Sequence, residues 1–351
     1  MQMKRIKFIV WLLLLYKIYA QDTVKVGAEL SPEQKAQMEY NQGLSELKKE
    51  NYRKALDCFN KALELKPDFD KALYNRSLAY AGLKEFHSAL NDISSLLAKN
   101  PKNSDAWFAK SMIFYHQTKR DSALFYLDKT TESDPKHHEA HYYKGLIFTE
   151  KKDFNEALIH YTKAIEVKTD YAWAYNDRGS VKRMQGKLDE AISDYEKATS
   201  LEPQSYFIWN NLGSAHRLKK NYNKAIEIYS KIIREKPDYL LAYNNRGTAY
   251  LENNQPELAK KDFEELLKKD PNNFGAYNNL ASLALKQKDY VKTKELCTKA
   301  IQLNPSYGPA YYNRGLALQM LREEENCCRD WKKAAELGVD AAKSLVTTFC
   351  D

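Results

Sequence analysis

The chain has little of what breaks, bridges or reacts. Twelve glycines and ten prolines among 351 residues leave no material for a long flexible linker. The five cysteines, at 58, 297, 327, 328 and 350, include no C-x-x-C pair, so no cysteine-built metal site is expected. The apolar run near the start, Phe8 to Tyr16, holds nine residues, too few to cross a bilayer as a helix. There is no glycine-rich phosphate loop, no nucleophile elbow and no Ser/His/Asp arrangement outside repeated positions. With nearly every glycine and aromatic at a recurring position, no stretch remains for a catalytic domain. The expectation is a non-enzyme with no cofactor, no metal and no small-molecule substrate.

What is present is a period. Prolines stand at 67, 101, 135, 203, 237, 271 and 305, each gap being 34 residues or twice that, with Thr169 and Val339 filling the two remaining places. Thirty-four residues is the length of one helix–turn–helix unit in a repeat array. Numbering each proline as position 32 starts the repeats at 36, 70, 104, 138, 172, 206, 240, 274 and 308. Such an array grows by adding repeats, so 351 residues make one elongated domain and not several globular ones.

The period passes its own packing test. Position 8 reads Gly43, Ser77, Ser111, Gly145, Gly179, Gly213, Gly247, Ala281 and Gly315. Position 20 is alanine from Ala55 through Ala259, then Thr293 and Cys327. Small residues at both let paired helices approach closely. Position 24 is large and apolar in all but one repeat: Phe59, Ile93, Leu127, Tyr161, Tyr195, Tyr229, Phe263, Cys297 and Trp331. With first helices such as Ala242 to Tyr250 and second helices such as Tyr222 to Lys231, residues 36–341 resemble the tetratricopeptide repeat family. The resemblance implies an all-α, right-handed superhelix (an α-solenoid) of nine repeats. Residues 342–351 complete a C-terminal capping helix that begins at Asp340.

Residues 1–20 read as a signal peptide. Lys4, Arg5 and Lys7 precede the apolar run, and Ile18-Tyr19-Ala20 offers a cleavage site near Ala20. Export to a bacterial periplasm or to the outside follows as an expectation, with the membrane approached only through a partner. Cleavage would remove four basic residues and no acidic one, lowering the formal charge from +8 to +4. That weak excess, with Lys, Glu and Asp evenly mixed, argues against nucleic acid as a partner. Residues 21–35 form a lead and the start of the first helix, where Ser31 and Gln34 have the spacing of a capping box.

Two clusters draw attention. His137, His138 and His141 gather at the start of repeat four, but the order is not that of the zinc-protease helix, and His141 takes an aromatic position filled by Trp107 and Trp209 elsewhere. The tail, Cys328-Arg329-Asp330-Trp331 with a final Cys350, resembles the last repeat of exported bacterial members of the family. That resemblance implies a Cys328–Cys350 disulfide pinning the last helix.

The resemblance also implies that the first helix of each repeat lines a concave groove through positions 2, 5, 6, 9, 12 and 13. Asn75, Asp177, Asn211, Asn245, Asn279 and Asn313 stand at position 6, and Asn210, Asn244 and Asn278 at position 5. Amides donate and accept together, so this ladder suits the backbone of an extended peptide, and similar ladders line the superhelix of protein O-GlcNAc transferases. Tyr74, Phe108, Tyr142 and Tyr143 are expected as an exposed hydrophobic part of the groove in repeats two to four, beside Leu78, Met112 and Leu146. No repeat has Lys at position 5 or Asn at position 9, so the chaperone-tail clamp of the family is not expected. The reading is a scaffold for a protein or extended peptide. The alternative is a structural subunit of an envelope or secretion assembly, held by its convex face and ends. Partner, pathway and oligomeric state are not legible in the sequence.

Overall fold

The computed structural model describes residues 30–350, so the expected signal peptide lies outside the described residues. Nineteen α-helices and no strand occur among the described residues. They fall into two compact units, one ending at Thr169 and the other starting at Asp170.

Unit one holds α1 (Pro32–Lys48), α2 (Tyr52–Leu65), α3 (Asp70–Gly82), α4 (Phe86–Lys99), α5 (Ser104–His116), α6 (Arg120–Ser133), α7 (His138–Glu150) and α8 (Phe154–Val167). Unit two holds α9 (Ala172–Met184), α10 (Leu188–Leu201), α11 (Tyr206–Leu218), α12 (Tyr222–Glu235), α13 (Leu240–Glu252) and α14 (Pro256–Lys269). It continues with α15 (Phe274–Lys286), α16 (Tyr290–Leu303), α17 (Gly308–Met320), α18 (Glu324–Glu336) and α19 (Asp340–Phe349). The chain is an all-α solenoid of paired helices. At its start, the Ser31 hydroxyl accepts the Gln34 N–H at 3.2 Å while the Gln34 side chain accepts the Ser31 N–H at 2.9 Å.

The contact between the two helices of a repeat is decided by volume. The ring at position 24 lies directly on the glycine at position 8. A β-carbon added to Gly43, Gly145, Gly213 or Gly247 would stand 2.6–2.7 Å from Phe59, Tyr161, Tyr229 or Phe263. Where position 8 is Ser77, Ser111 or Ala281, position 24 shrinks to Ile93, Leu127 or Cys297, so the pair fills a similar space. Position 24 therefore plugs its own repeat as well as facing the next.

Arginines tie the second helices together. Arg246 reaches Asp262 with two bonds of 2.8 and 2.7 Å and the Ser230 hydroxyl of the previous second helix at 3.0 Å. Arg314 does the same to Asp330 and Thr298, and Arg76 to Asp92 and Asn60. These position 7 side chains serve packing.

Each helix pair turns through a residue at position 15 in the left-handed region. Gly186 fills it once, but Glu50, Lys84, Thr118, Lys152, Lys220, Asn254, Lys288 and Arg322 also have φ between 57° and 65°. At the end of unit two, α19 packs on α18, with Ala342 buried against the Trp331 cluster and the Phe349 ring 6.0 Å from that of Trp331.

Candidate functional site

Within unit two each first helix touches the first helix of the next repeat, from α9 through α17. The first helices thus form one continuous face of this unit. Positions 2, 6, 9 and 13 are separated by four, three and four residues, which brings them into one stripe along each helix.

Down the middle of this face runs a line of amides bonded from repeat to repeat. Asn211 donates to the Asn176 side-chain carbonyl at 2.9 Å, Asn245 to Asn210 at 2.8 Å, Asn279 to Asn244 at 2.9 Å and Asn313 to Asn278 at 2.9 Å. Position 6 of one repeat is therefore stitched to position 5 of the repeat before. The position 5 partners Asn176, Asn210 and Asn278 are buried, and Asn244 is half-buried. Asn210 and Asn278 are consequently not ligand-facing as expected; an unsatisfied buried amide is costly, and the next repeat satisfies them. Asn211, Asn245 and Asn279 remain half-exposed and spend one N–H each on the stitch. Asn313 spends a second bond on the Ser282 hydroxyl at 3.0 Å. Asp177 is half-exposed and accepts from Asn176 at 2.9 Å.

The position 9 hydroxyls are engaged too. Ser180, Thr248 and Ser282 bond the backbone carbonyls of Asn176, Asn244 and Asn278 at 2.9–3.0 Å, while Ser214 pairs with the Tyr229 hydroxyl at 3.2 Å.

In unit one the structure corrects the sequence reading. Phe108 is fully buried, with its ring 4.6 Å from His137 and 5.8 Å from Tyr143. Tyr142 and Tyr143 are buried as well, and so are Leu78, Met112 and Leu146. Burial pushes the Tyr143 hydroxyl far above its ordinary pKa. These side chains fill the space between successive repeats, so they do not form an exposed anchor. Only Tyr74 stays half-exposed; burial, then Asp105 and Glu139, raise its hydroxyl. Asn75, at position 6 here, is buried and donates to Tyr40 at 3.2 Å and to the Lys71 carbonyl at 2.9 Å.

His141 bonds the Pro135 carbonyl at 2.9 Å, as Trp107 bonds that of Pro101 and Trp209 that of Pro203. It is a substitute for tryptophan in a repeated contact. Cys328 and Cys350 stand side by side, with α-carbons 5.5 Å apart.

The exposed apolar side chains lie elsewhere than expected. Phe207 and Leu241 at position 2 are 37 and 47 % exposed, and Met184 and Leu218 at position 13 are 51 and 44 % exposed. They border the amide line on both sides. Positions 2 and 13 were the signal for them, but in unit one position 2 is Gln37, Lys71, Asp105 and Glu139, which hides the apolar run in the column.

Models of the tetratricopeptide repeat match residues 36–69, 117–172, 176–239 and 244–307. The chain belongs to the tetratricopeptide repeat family. Among solved tetratricopeptide-type folds, pilF of Pseudomonas aeruginosa aligns with a TM-score of 0.53 at 15 % identity, over 63 % of this chain and 99 % of that one. Yeast Tom70 aligns with a TM-score of 0.52 at 16 % identity, over 90 % and 88 %. A tetratricopeptide repeat protein of Parabacteroides merdae reaches 0.48 at 18 % identity, over 72 % and 99 %. At these identities the likeness concerns the fold alone. A sequence search of curated proteins finds no match. Tetratricopeptide repeat proteins generally bind proteins or peptides, and this chain carries that scaffold.

Proposed function

We propose that the protein is a non-enzymatic scaffold that holds an extended polypeptide on the first-helix face of repeats five to nine. The observation that carries this reading is the row of half-exposed amides, Asn211, Asn245 and Asn279, set at one height on successive helices. Each spends one N–H on its neighbour and stays half-exposed, and the Asn245 side-chain oxygen also accepts from Asn244 at 3.4 Å; the amide capacity left over suits the N–H and C=O groups of an extended backbone. The stitch holds each amide in place before any ligand arrives, lowering the ordering cost of binding.

Two triple variants separate gripping from stitching. Asn176, Asn210 and Asn244 changed together to Ala remove the stitch acceptors but keep the outward amides. Asn211, Asn245 and Asn279 changed to Ala remove both. Binding of a labelled extended peptide, at a temperature where both remain helical, is expected to fall at least tenfold more in the second than in the first. Equal losses contradict gripping.

Export belongs to the same reading: the chain works in a bacterial periplasm or outside the cell, with Cys328 and Cys350 bonded. Their adjacency supports this, since such bonds persist in oxidising compartments. A second reading, a structural subunit held by its outer face, is supported by Phe125 and Ile159, which are exposed at position 22 on the second helices α6 and α8.

A further inference from the structure

The amide line says how a backbone is held, and its borders say which side chains come with it. On one side the rings of Trp173 and Phe207 stack with centroids 6.4 Å apart, and Leu241 continues the row. On the other side stand Met184 and Leu218, both exposed. Charge is scarce on these stripes. Across positions 2, 6, 9 and 13 of α9, α11, α13, α15 and α17 only Asp177, Glu252 and Lys286 are charged, in a chain where 29 % of residues are. Glu252 is already paired with Arg217.

We propose that the segment held here is uncharged and carries apolar side chains at every third residue; this rests on the scaffold reading above. The spacing comes from geometry. Packed helices lie about 8–10 Å apart, and an extended chain advances about 3.3 Å per residue. One repeat therefore spans about three residues of ligand, and the row Trp173, Phe207, Leu241 receives one side chain from each third residue. The segment is extended and not helical, because a helix has already satisfied the backbone groups that the amides would bond. Complementarity of charge excludes acidic and basic segments. A charged side chain laid on the row Trp173, Phe207 and Leu241 would lose its hydration and meet no charged residue in that row.

The test is fluorescence polarisation with the purified protein and labelled nine-residue peptides. One carries Leu at residues 1, 4 and 7 with Ser and Thr elsewhere. A second has the same composition with its three Leu adjacent. A third has Lys in place of each Leu. The spaced peptide is expected to bind about tenfold more tightly than the clustered one and about a hundredfold more tightly than the lysine peptide. The double variant Phe207→Ser/Leu241→Ser, compared at matched helicity, is expected to erase the preference for spacing. Equal affinity for all three peptides, with binding still lost in Asn211/Asn245/Asn279→Ala, overturns the side-chain proposal and leaves the backbone grip standing. Failure of every peptide to bind overturns both.

Discussion

Gly247 lies flat under the ring of Phe263, so close that a methyl group on its α-carbon would stand 2.6 Å from Cε1. Ala is the better helix former by about 1 kcal/mol, yet the clash outweighs this. Gly247→Ala is expected to destabilise by about 1–2 kcal/mol, since overpacking a filled core costs about 1–3 kcal/mol. Phe263→Leu alone leaves a cavity, at a cost of about 1–2 kcal/mol. Together the two changes recreate the small-on-medium pair that Ser111 and Leu127 form naturally. Chemical denaturation of the double variant should therefore show less loss than the two single losses added. Strict additivity would mean that position 24 does not set position 8.

The Arg246–Asp262 pair is mostly buried, with side chains 19 and 7 % exposed. Asp262→Ala strands a guanidinium between two second helices. The expected loss is about 2–4 kcal/mol, somewhat below the range for fully buried pairs because the arginine keeps some water. Asp262→Asn, which retains one acceptor, should recover part of it. A loss under about 1 kcal/mol in denaturation would reduce the pair to a surface contact.

Much of this architecture is legible from the proline grid alone. Once Pro67, Pro101 and their successors fix the register, the helix ends and the small residues where paired helices approach follow, whereas the seating of the position 24 ring on the glycine of its own repeat does not. The site is less legible. A repeat position tells which way a side chain leaves its helix but not whether the next repeat covers it. Phe108 and Tyr143 leave α5 and α7 toward the expected groove and are nevertheless buried by their neighbours. Asn210 and Asn278 share that fate, because only the structure reveals that Asn245 and Asn313 reach back to them. The left-handed turns were invisible for another reason: Glu50, Thr118, Arg322 and four lysines, none of them a turn signal, occupy seven of the nine.

Those turns are themselves a reservoir of stability. A residue with a β-carbon pays about 1–2 kcal/mol in the left-handed region, part of which glycine gives back through its greater freedom when unfolded. Lys220→Gly, at φ 65°, is expected to raise stability by up to about 1 kcal/mol. An unchanged or lower melting temperature would contradict strain at this turn.

Unit one should weaken in acid. Burial, then Lys144, holds His160 down to about 3, and burial, then Arg120, holds His116 down to about 4. Glu156 lies 3.7 Å from the His160 ring and does not offset this. Both folded values lie below the ordinary 6.5, so the unfolded chain takes protons that the folded chain refuses. The stability they contribute is complete above pH 6.5 and is lost as the pH falls from 6.5 toward 4 and then 3. Melting temperature should drop between pH 7.5 and 5, and His160→Phe, which keeps a ring against Phe148, should flatten the drop. An identical pH slope in the variant would rule His160 out as a source.

If Cys328 and Cys350 are bonded, they close a loop with a sequence separation of 22, worth about 3 kcal/mol in the chain-entropy view. Intact mass of the protein from its native host should fall two daltons short of the fully reduced mass. Cys350→Ser should loosen α19 first, seen as faster hydrogen exchange across Asp340–Phe349. Five free thiols in the exported protein would contradict the bond.

The most direct test of the scaffold account is proximity labelling in the native host with the tagged protein, run beside Phe207→Ser/Leu241→Ser at equal abundance and helicity. One set of partners should be labelled by the unaltered protein and lost in the variant. Retention of the same partners would place the contacts on the outer face or the ends and contradict the first-helix face as the binding surface.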